Sequence, residues 1–293
     1  MRRVAVSVLI VNYQTYAELT SCLQSLVRFP TEDVEVVVVD HLADPAAAAA
    51  VRREFPSIHL IEVRSNPGFA NGVNRAAHAA GGTYLLLLNP DCTVDEDVAH
   101  GLATWLDEHR DVGVCGARIH EADGSVQQSA RSFPDASTGF AGRTAWLTRV
   151  WPTNRWSRRN LVAQSLPHEP MACDWVSGAC MMVRRIAFEE VGGMDERFFL
   201  YWEDADLCHR LRQKGWLTFY NPNVQVTHFT GRSSQRAEIQ SAIAFHKSAF
   251  TYFWTHATPA RRLIAPLVYL ALHVRLGIRL AQIQIRRARL GTH

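Results

Sequence analysis

The sequence predicts an α/β domain, a mostly parallel sheet flanked by helices, followed by a C-terminal helical appendage. Three observations predict it. The runs VSVLIV, VEVVVV and TYLLLL are nearly continuous in apolar residues, as strands buried on both faces of a sheet are. Segments of helical spacing lie between such runs, so strand and helix alternate four times, the pattern of right-handed crossovers. Beyond Glu238 the chain carries no acid and reads as helix.

Residues 4–11 form the expected first strand, with Asn12-Tyr13 as its exit. Residues 16–27 place Leu19, Leu23 and Leu26 on one helical face. Residues 34–39 are a second buried strand ending at Asp40. The alanine-rich stretch 46–55 is helical by propensity, and 58–63 is a third strand. Asn66-Pro67-Gly68-Phe69 is a turn into a helix over 70–80, which Gly81-Gly82 is expected to close. The fourth strand, 83–88, stops at Asn89-Pro90-Asp91, because proline cannot continue a central strand. A helix over 97–109 and a strand over 112–117 follow. Between Arg131 and Asp174 the periodicity is lost. Pro134, Pro152, Pro167 and Pro170 mix with Trp146, Trp151 and Trp156, the composition of a long lid or loop. Order resumes over 175–184. The segment DERFFLYWEDADLCHRLRQKG then runs into a helix around 203–214 with Gly215 at its C-cap.

A chain of 293 residues with 47% hydrophobic content suffices for one large domain, or one with an appendage. Cys22, Cys92, Cys115, Cys173, Cys180 and Cys208 form no CxxC pair, which argues against metal knuckles and dithiol redox motifs. Scattered cysteines and the lack of a secretory leader make a cytosolic location the expectation. The net charge of +3 hides an asymmetry: residues 1–238 hold 23 basic and 28 acidic side chains, and the remainder holds eight basic ones alone. The body is therefore not built for nucleic acid, and the tail faces something anionic. Its apolar run LIAPLVYLAL is too short to span a bilayer. Arg275, Arg279, Gln282, Arg286 and Arg289 then share one helical face. Leu276, Leu280 and Ile283 flank one side of it, and Val274, Ile278 and Ile285 the other. A basic stripe on an apolar helix suits an anionic membrane surface; a helix docked on the domain is the alternative.

Three acidic positions stand out: Asp40, Asp91 and the cluster Glu203-Asp204-Ala205-Asp206. Singly, each is ordinary turn or helix-dipole chemistry. Two acids at strand ends of one sheet, however, share an edge and converge on one crevice. His228 also ends a strand-like segment. Beside Asp91 it would complete a site for a hard divalent ion with open positions, which phosphate oxygens fill. The loop at 66–72 opens a helix and could turn backbone N–H groups to a phosphate. It is neither a Walker loop nor a GxGxxG fingerprint.

Together VSVLIVNYQ, VVVVD, NPGFANGVNRA, YLLLLNPD, WVSGACMMVRR, VGGMDERFFLYWEDADLCHRL and THFTGRSS resemble the inverting family-two glycosyltransferases of the GT-A fold. Within these they most closely resemble the bacterial rhamnosyltransferases. The resemblance covers residues 1–255. It implies a nucleotide-sugar half over 1–120, an acceptor and catalytic half over 121–255, and a separate tail over 256–293. It makes Asp91 the metal-binding acid of the DxD motif, with Asn89 in the first position, and makes His228 its partner on Mg²⁺ or Mn²⁺. Asp40 matches the acid that contacts the nucleotide base, and Asn12, Asn66, Gly68 and Asn74 fall on the donor side. Asp204, the second acid of the Glu203-Asp204 pair, matches the catalytic base. Trp202, Trp175 and Arg131 fall on the acceptor side. The implied reaction moves L-rhamnose from dTDP-rhamnose to a lipid-linked or polysaccharide acceptor at the inner membrane face. One departure stands out: where the family reads DNAS, this chain reads Asp40-His41-Leu42-Ala43. That leaves open a UDP-hexose donor, or a non-catalytic nucleotide-sugar-binding subunit.

Overall fold

Runs that are apolar at nearly every position fold as strands only where both faces of the sheet are covered. The computed structural model shows this; it describes residues 5–29, 32–133, 168–229 and 238–290. Residues 134–167, with Trp146, Trp151, Trp156 and most of the expected lid, lie outside the described residues, as do Gly231–Ser234 of the THFTGRSS motif.

The first seven elements alternate as the sequence predicts: β1 (Val6–Tyr13), α1 (Tyr16–Leu26), β2 (Val34–His41), α2 (Pro45–Glu54), β3 (His59–Val63), α3 (Phe69–Ala79) and β4 (Tyr84–Leu88). The four strands are parallel, in the order β3-β2-β1-β4. A strand's period of two divides each apolar run between two cores. Val8, Ile10, Val38, Leu86 and Leu88 pack with Leu19 and Leu23 of α1. Leu9, Val37, Val39, Leu85 and Leu87 pack with Val73 and Ala76 of α3. β1 and β2 run further than expected, to Tyr13 and His41, which sets Asn12 in register with Asp40.

The second half comprises β5 (Cys92–Thr93), α4 (Val98–Glu108), β6 (Val112–Glu121), β7 (Val126–Gln127), β8 (Ala130–Arg131), β9 (Met171–Cys173), β10 (Trp175–Val176), β11 (Cys180–Arg184), α5 (Arg185–Glu190), α6 (Glu203–Gln213) and β12 (Leu217–His228). The sheet continues past β4 as β11-β6-β12-β5. β11 is antiparallel to both β4 and β6, an interruption that the alternation of elements does not foretell. β6 outruns its expected end because Gln225–His228 of β12 pair alongside Arg118–Glu121. Capping fixes several boundaries. Asp44 accepts from the Ala47 N–H at the start of α2, and Asp97 from the His100 N–H at the start of α4. Gly215, at φ +94°, follows α6 as expected.

Gly81-Gly82 has a different role from the expected left-handed cap. Ala80, in extended conformation, ends α3. A Cβ on Gly82 would lie 2.5 Å from Ser7 Oγ and 2.6 Å from Ser7 N, so the chain crosses β1 there at a distance only glycine permits.

The C-terminal region forms α7 (Glu238–His256), α8 (Pro259–Arg262) and α9 (Ala265–Leu290). α9 folds back along α7, with Ala265 and Ile283 buried. In the expected basic stripe, Arg279 and Arg286 stay more than half exposed while both pair with Glu238 at the start of α7. Leu267, Leu270, Val274, Ile278 and Ile285 are exposed as well. Among the described residues, no helix is long and apolar enough to cross a membrane.

Gly82→Ala should lower stability by about 2 kcal/mol, because the methyl meets backbone that cannot yield. Urea unfolding should show the midpoint fall with an unchanged slope; an unchanged midpoint would show that β1 gives way easily.

Candidate active site

The carboxyl ends of the parallel strands present Asn12 and Asp40. Both are fully buried, on the α1 side of the sheet. Asp40 Oδ1 accepts from Asn12 Nδ2 at 2.7 Å and Oδ2 from the Tyr16 hydroxyl at 2.8 Å. Tyr16 also accepts from the Asp44 N–H at 2.7 Å. Burial raises the Asp40 carboxyl, and the Asn12 and Tyr16 hydrogen bonds pull it back. Burial, reinforced by Asp40, pushes the Tyr16 hydroxyl up to about 12. Tyr16 therefore covers Asp40. His41, the next residue, faces the other way. It is buried against α3 near Gly72 and bonded to Asn66, and burial lowers its pKa.

The second group forms where β4 stops. Cys92 N–H bonds Asn89 O at 3.1 Å, closing the Asn89-Pro90-Asp91 turn. The two-residue strand β5 then pairs with the end of β12, Cys92 opposite His228. Phe229 N–H also bonds Asp91 O at 2.9 Å. This register sets His228 Nε2 3.0 Å from Asp91 Oδ1, although 137 residues separate them. Gln127 Oε1 lies 3.4 Å from the other ring nitrogen. Asp91, Cys92 and His228 can offer ligand atoms within 4.8 Å of one another. The Cys92 thiol is buried in the core, faces Ala179 O at 3.4 Å, and is raised far above its ordinary value by burial. Turned toward Ala179 O, it leaves one oxygen and one nitrogen donor for an ion. Two ligands about 2.1 Å from an octahedral ion sit about 3 Å apart. The pair therefore fits Mg²⁺ or Mn²⁺ with positions left for phosphate oxygens.

The third group is the acid pair. Asp204 Oδ2 accepts from Gly178 N–H at 3.1 Å and Oδ1 from Ala205 N–H at 2.8 Å. Burial raises its carboxyl, while these N–H groups and the nearby Arg131 cation oppose the rise. Glu203 is pushed well above its ordinary value, first by burial and then by the Asp204 charge. Its Oε2 is buried without a hydrogen-bond partner. Of the two, Glu203 is therefore pushed harder toward its protonated form, and Asp204 is the better held as a carboxylate. Tyr201 and Trp202, just before them, both have left-handed backbone, φ 67° and 73°. Such positions in bulky residues cost about 1–3 kcal/mol each.

The segment Ser177-Gly178-Ala179 joins the second group to the third. Gly178 N–H holds Asp204, and Ala179 O accepts from Asn89 N–H at 2.9 Å. Tyr201, whose hydroxyl is raised first by burial, lies close to both Glu203 and Asp91. The acid pair and the Asp91–His228 pair thus stand near one another.

Other predicted residues fall elsewhere or serve differently. Asn74 uses both ends of its amide on Met194: Nδ2 donates to Met194 O at 2.9 Å, and Oδ1 accepts from Met194 N–H at 2.8 Å. Asn66 Oδ1 accepts from Gly68 N–H at 3.1 Å. Phe69 N–H bonds Phe199 O at 2.8 Å, and a Cβ on Gly68 would lie 2.6 Å from that oxygen. These residues bind the helix start to the 194–202 loop, so two of the N–H groups expected to meet a phosphate are already engaged. Trp175 donates to Ser132 O at 3.0 Å and carries the exposed Arg131 over its ring, 5.0 Å from the centroid. Trp202 packs against Phe245 and Tyr252 and is partly core. Tyr16, Gln127 and Gly178 escape the sequence reading. Gly178 alone carried a signal, as part of WVSGAC.

A sheet whose edge gathers an acid–histidine pair, a buried acid pair and a covered strand-end acid is the frame of a GT-A glycosyltransferase. The whole chain superposes on 82% of a mannosyltransferase from Pyrobaculum calidifontis, PcManGT in complex with GDP-Man and Mn²⁺, with a TM-score of 0.57 and 17% identity. The chain belongs to glycosyl transferase family 2, whose profile matches residues 7–192. It is 31% identical, over 84% of its length and 82% of the relative's, to the N-acetylglucosaminyl-diphospho-decaprenol L-rhamnosyltransferase of Mycobacterium tuberculosis. It is 28% identical to the rhamnosyltransferase WbbL of Escherichia coli, over 58% of this chain and 61% of that one.

Asp204→Asn should lower turnover by roughly 10²–10⁴-fold while leaving donor affinity intact, the loss that follows removal of a general base. A base must be ionised, and this one is raised. Wild-type turnover should therefore fall on acidification at a pH above the ordinary aspartate value of 3.8. Initial rates against pH check both; near-normal turnover in the variant would reject Asp204 as the base.

Proposed function

We propose that this glycosyltransferase inverts the anomeric centre in one displacement. It moves L-rhamnose from dTDP-rhamnose to a lipid-linked or polysaccharide acceptor of the cell envelope. One observation carries the reading: Gly178 N–H holds Asp204 at 3.1 Å, and the next residue, Ala179, accepts the Asn89 N–H of the Asn89–Asp91 turn at 2.9 Å. The acceptor hydroxyl oxygen bonds to the anomeric carbon, its proton passes to Asp204, and the bond to the diphosphate oxygen breaks with its electron pair. A Mg²⁺ or Mn²⁺ ion held by Asp91 and His228 would neutralise the charge that the departing diphosphate gains. Asp40, Asn12 and Tyr16 receive the nucleotide base. Arg131 on Trp175, beside Asp204, receives the acceptor, and Trp202 supports that side.

The choice of donor rests on the rhamnosyltransferase relatives and on Asn89 in place of the first DxD acid. His41 and Leu42 depart from the family's usual residues, and a UDP-hexose is the competing donor. A thermal-shift panel of nucleotide-sugars with Mg²⁺ or Mn²⁺ separates them, because a specific ligand stabilises by mass action. The largest shift should come from dTDP-rhamnose; a larger one from a UDP-hexose would replace the donor. Asp91→Ala should lose the metal-dependent part of donor affinity. Calorimetry with and without the ion tests this, and unchanged metal dependence would remove Asp91 from the metal site.

We further propose that the enzyme works on the inner membrane face, held there by the 256–293 tail. The support is the exposed row Leu267, Leu270, Val274, Ile278 and Ile285 on α9, within a segment free of carboxylates after Glu238. Two like-charged copies would repel each other, whereas anionic lipid attracts such a face. Full-length protein should float with phosphatidylglycerol-containing liposomes, and Leu270→Glu with Ile278→Glu should stay behind. Equal flotation would sink the membrane role of this face.

A further inference from the structure

The left-handed step at Tyr201-Trp202 persists only if surrounding contacts over-determine it. Those contacts come from α7. Ser248 Oγ donates to Leu200 O at 2.9 Å. The Tyr252 ring lies 5.2 Å from that of Trp202, centroid to centroid. His256 Nε2 is 2.8 Å from Asp206 Oδ1, at the start of α6. Spaced four residues apart, the three side chains share one face of α7. All three are buried against the loop or the helix it feeds.

From Asp206 the connections continue. Its second oxygen takes Arg210 Nε at 2.7 Å, and Arg210 Nη1 reaches Val191 O at 2.9 Å and Gly193 O at 2.8 Å. Met194, the next residue, is gripped by Asn74 of α3. A closed circuit of hydrogen bonds and ring contacts therefore encircles residues 194–202, with α7 on one side and α3 on the other.

We propose that α7 is a positioning element of the transferase: its Ser248–Tyr252–His256 face holds the left-handed step and thereby sets where Asp204 stands. This rests on the reading of Asp204 as the base. His256 is a positioning residue that acts through Asp206. A division of the chain after residue 255 would discard it, so the catalytic body includes the whole of α7.

Hydrogen exchange on full-length His256→Ala tests the placement without any substrate. Amides of 194–206 should exchange at least ten-fold faster than in the wild type, with β1–β4 unchanged. Unchanged exchange over 194–206, or equal acceleration everywhere, overturns the proposal. With dTDP-rhamnose and a short-chain polyprenyl-diphosphate N-acetylglucosamine, turnover should fall by about ten- to a hundred-fold at unchanged donor KM, the consequence of a misplaced reacting group. His256→Gln, which can still donate to Asp206, should recover part of it. Equal turnover in His256→Ala and wild type also overturns the proposal. Should the wild type transfer nothing from this pair, the substrate reading fails and the exchange result still decides. Should His256→Ala not fold, Ser248→Ala removes only the bond to Leu200 O and carries the same expectations at smaller size.

Discussion

The register that sets Cys180 opposite Leu88, between antiparallel neighbours β11 and β4, is the constraint on which the site depends. Because β11 runs against β4, it begins at the edge where β4 ends. Its lead-in, Ser177-Gly178-Ala179, therefore lies beside the Asn89–Asp91 turn. Ala179 O accepts from the Asn89 N–H, and Gly178 N–H donates to Asp204. A parallel strand in the same place would put its own exit there, and its lead-in at the opposite edge. The long strand β12, parallel to β6, then delivers His228 to the same edge.

Two environments divide the labour among the acids. Glu203 and Asp204 are adjacent in sequence, yet Asp204 receives the N–H groups of Gly178 and Ala205 and has a cation nearby. Glu203 has burial and a negative neighbour against its own N–H alone, and is pushed harder toward the protonated form. Like charges this close do not both ionise in a poorly solvated site, so the protein chooses between them by hydrogen bonding. The same economy of donors appears at Asp40, where Asn12 and Tyr16 occupy one oxygen each.

Much of this was legible in the sequence. The alternation of apolar runs and helical segments gave every element of the parallel half to within a few residues. The acids Asp40, Asp91 and Asp204 and the histidine His228 stood out as punctuation after strands or before a helix. What escaped depends on pairing across long separations. Nothing local in CMMVR says that it enters the sheet backwards, and nothing near His256 says that its partner is Asp206. Asn74 and Gly68 belong to a motif that reads as donor binding, but their roles as loop clamps appear only once the 194–202 loop is in place. Gly82 was noticed for the right reason, its lack of a side chain, and given the wrong duty. The basic residues of α9 stand out by their periodicity, but Glu238, which pairs with two of them, lies a helix away.

The two faces of β2's exit have a consequence for how such enzymes diverge. Asp40 looks toward α1 and His41 toward α3, while Asp91 stands just before β5, Glu203 and Asp204 on α6 and His228 at the end of β12. On the proposed reading, recognition of the nucleotide and performance of the reaction are housed in separate elements. Substitutions after β1, β2 and β3 can accumulate without disturbing the acid pair. A lineage can in this way drift from one activated sugar to another while its chemistry stays inherited, and the replacement of the usual DNAS by Asp40-His41-Leu42-Ala43 has the look of that drift.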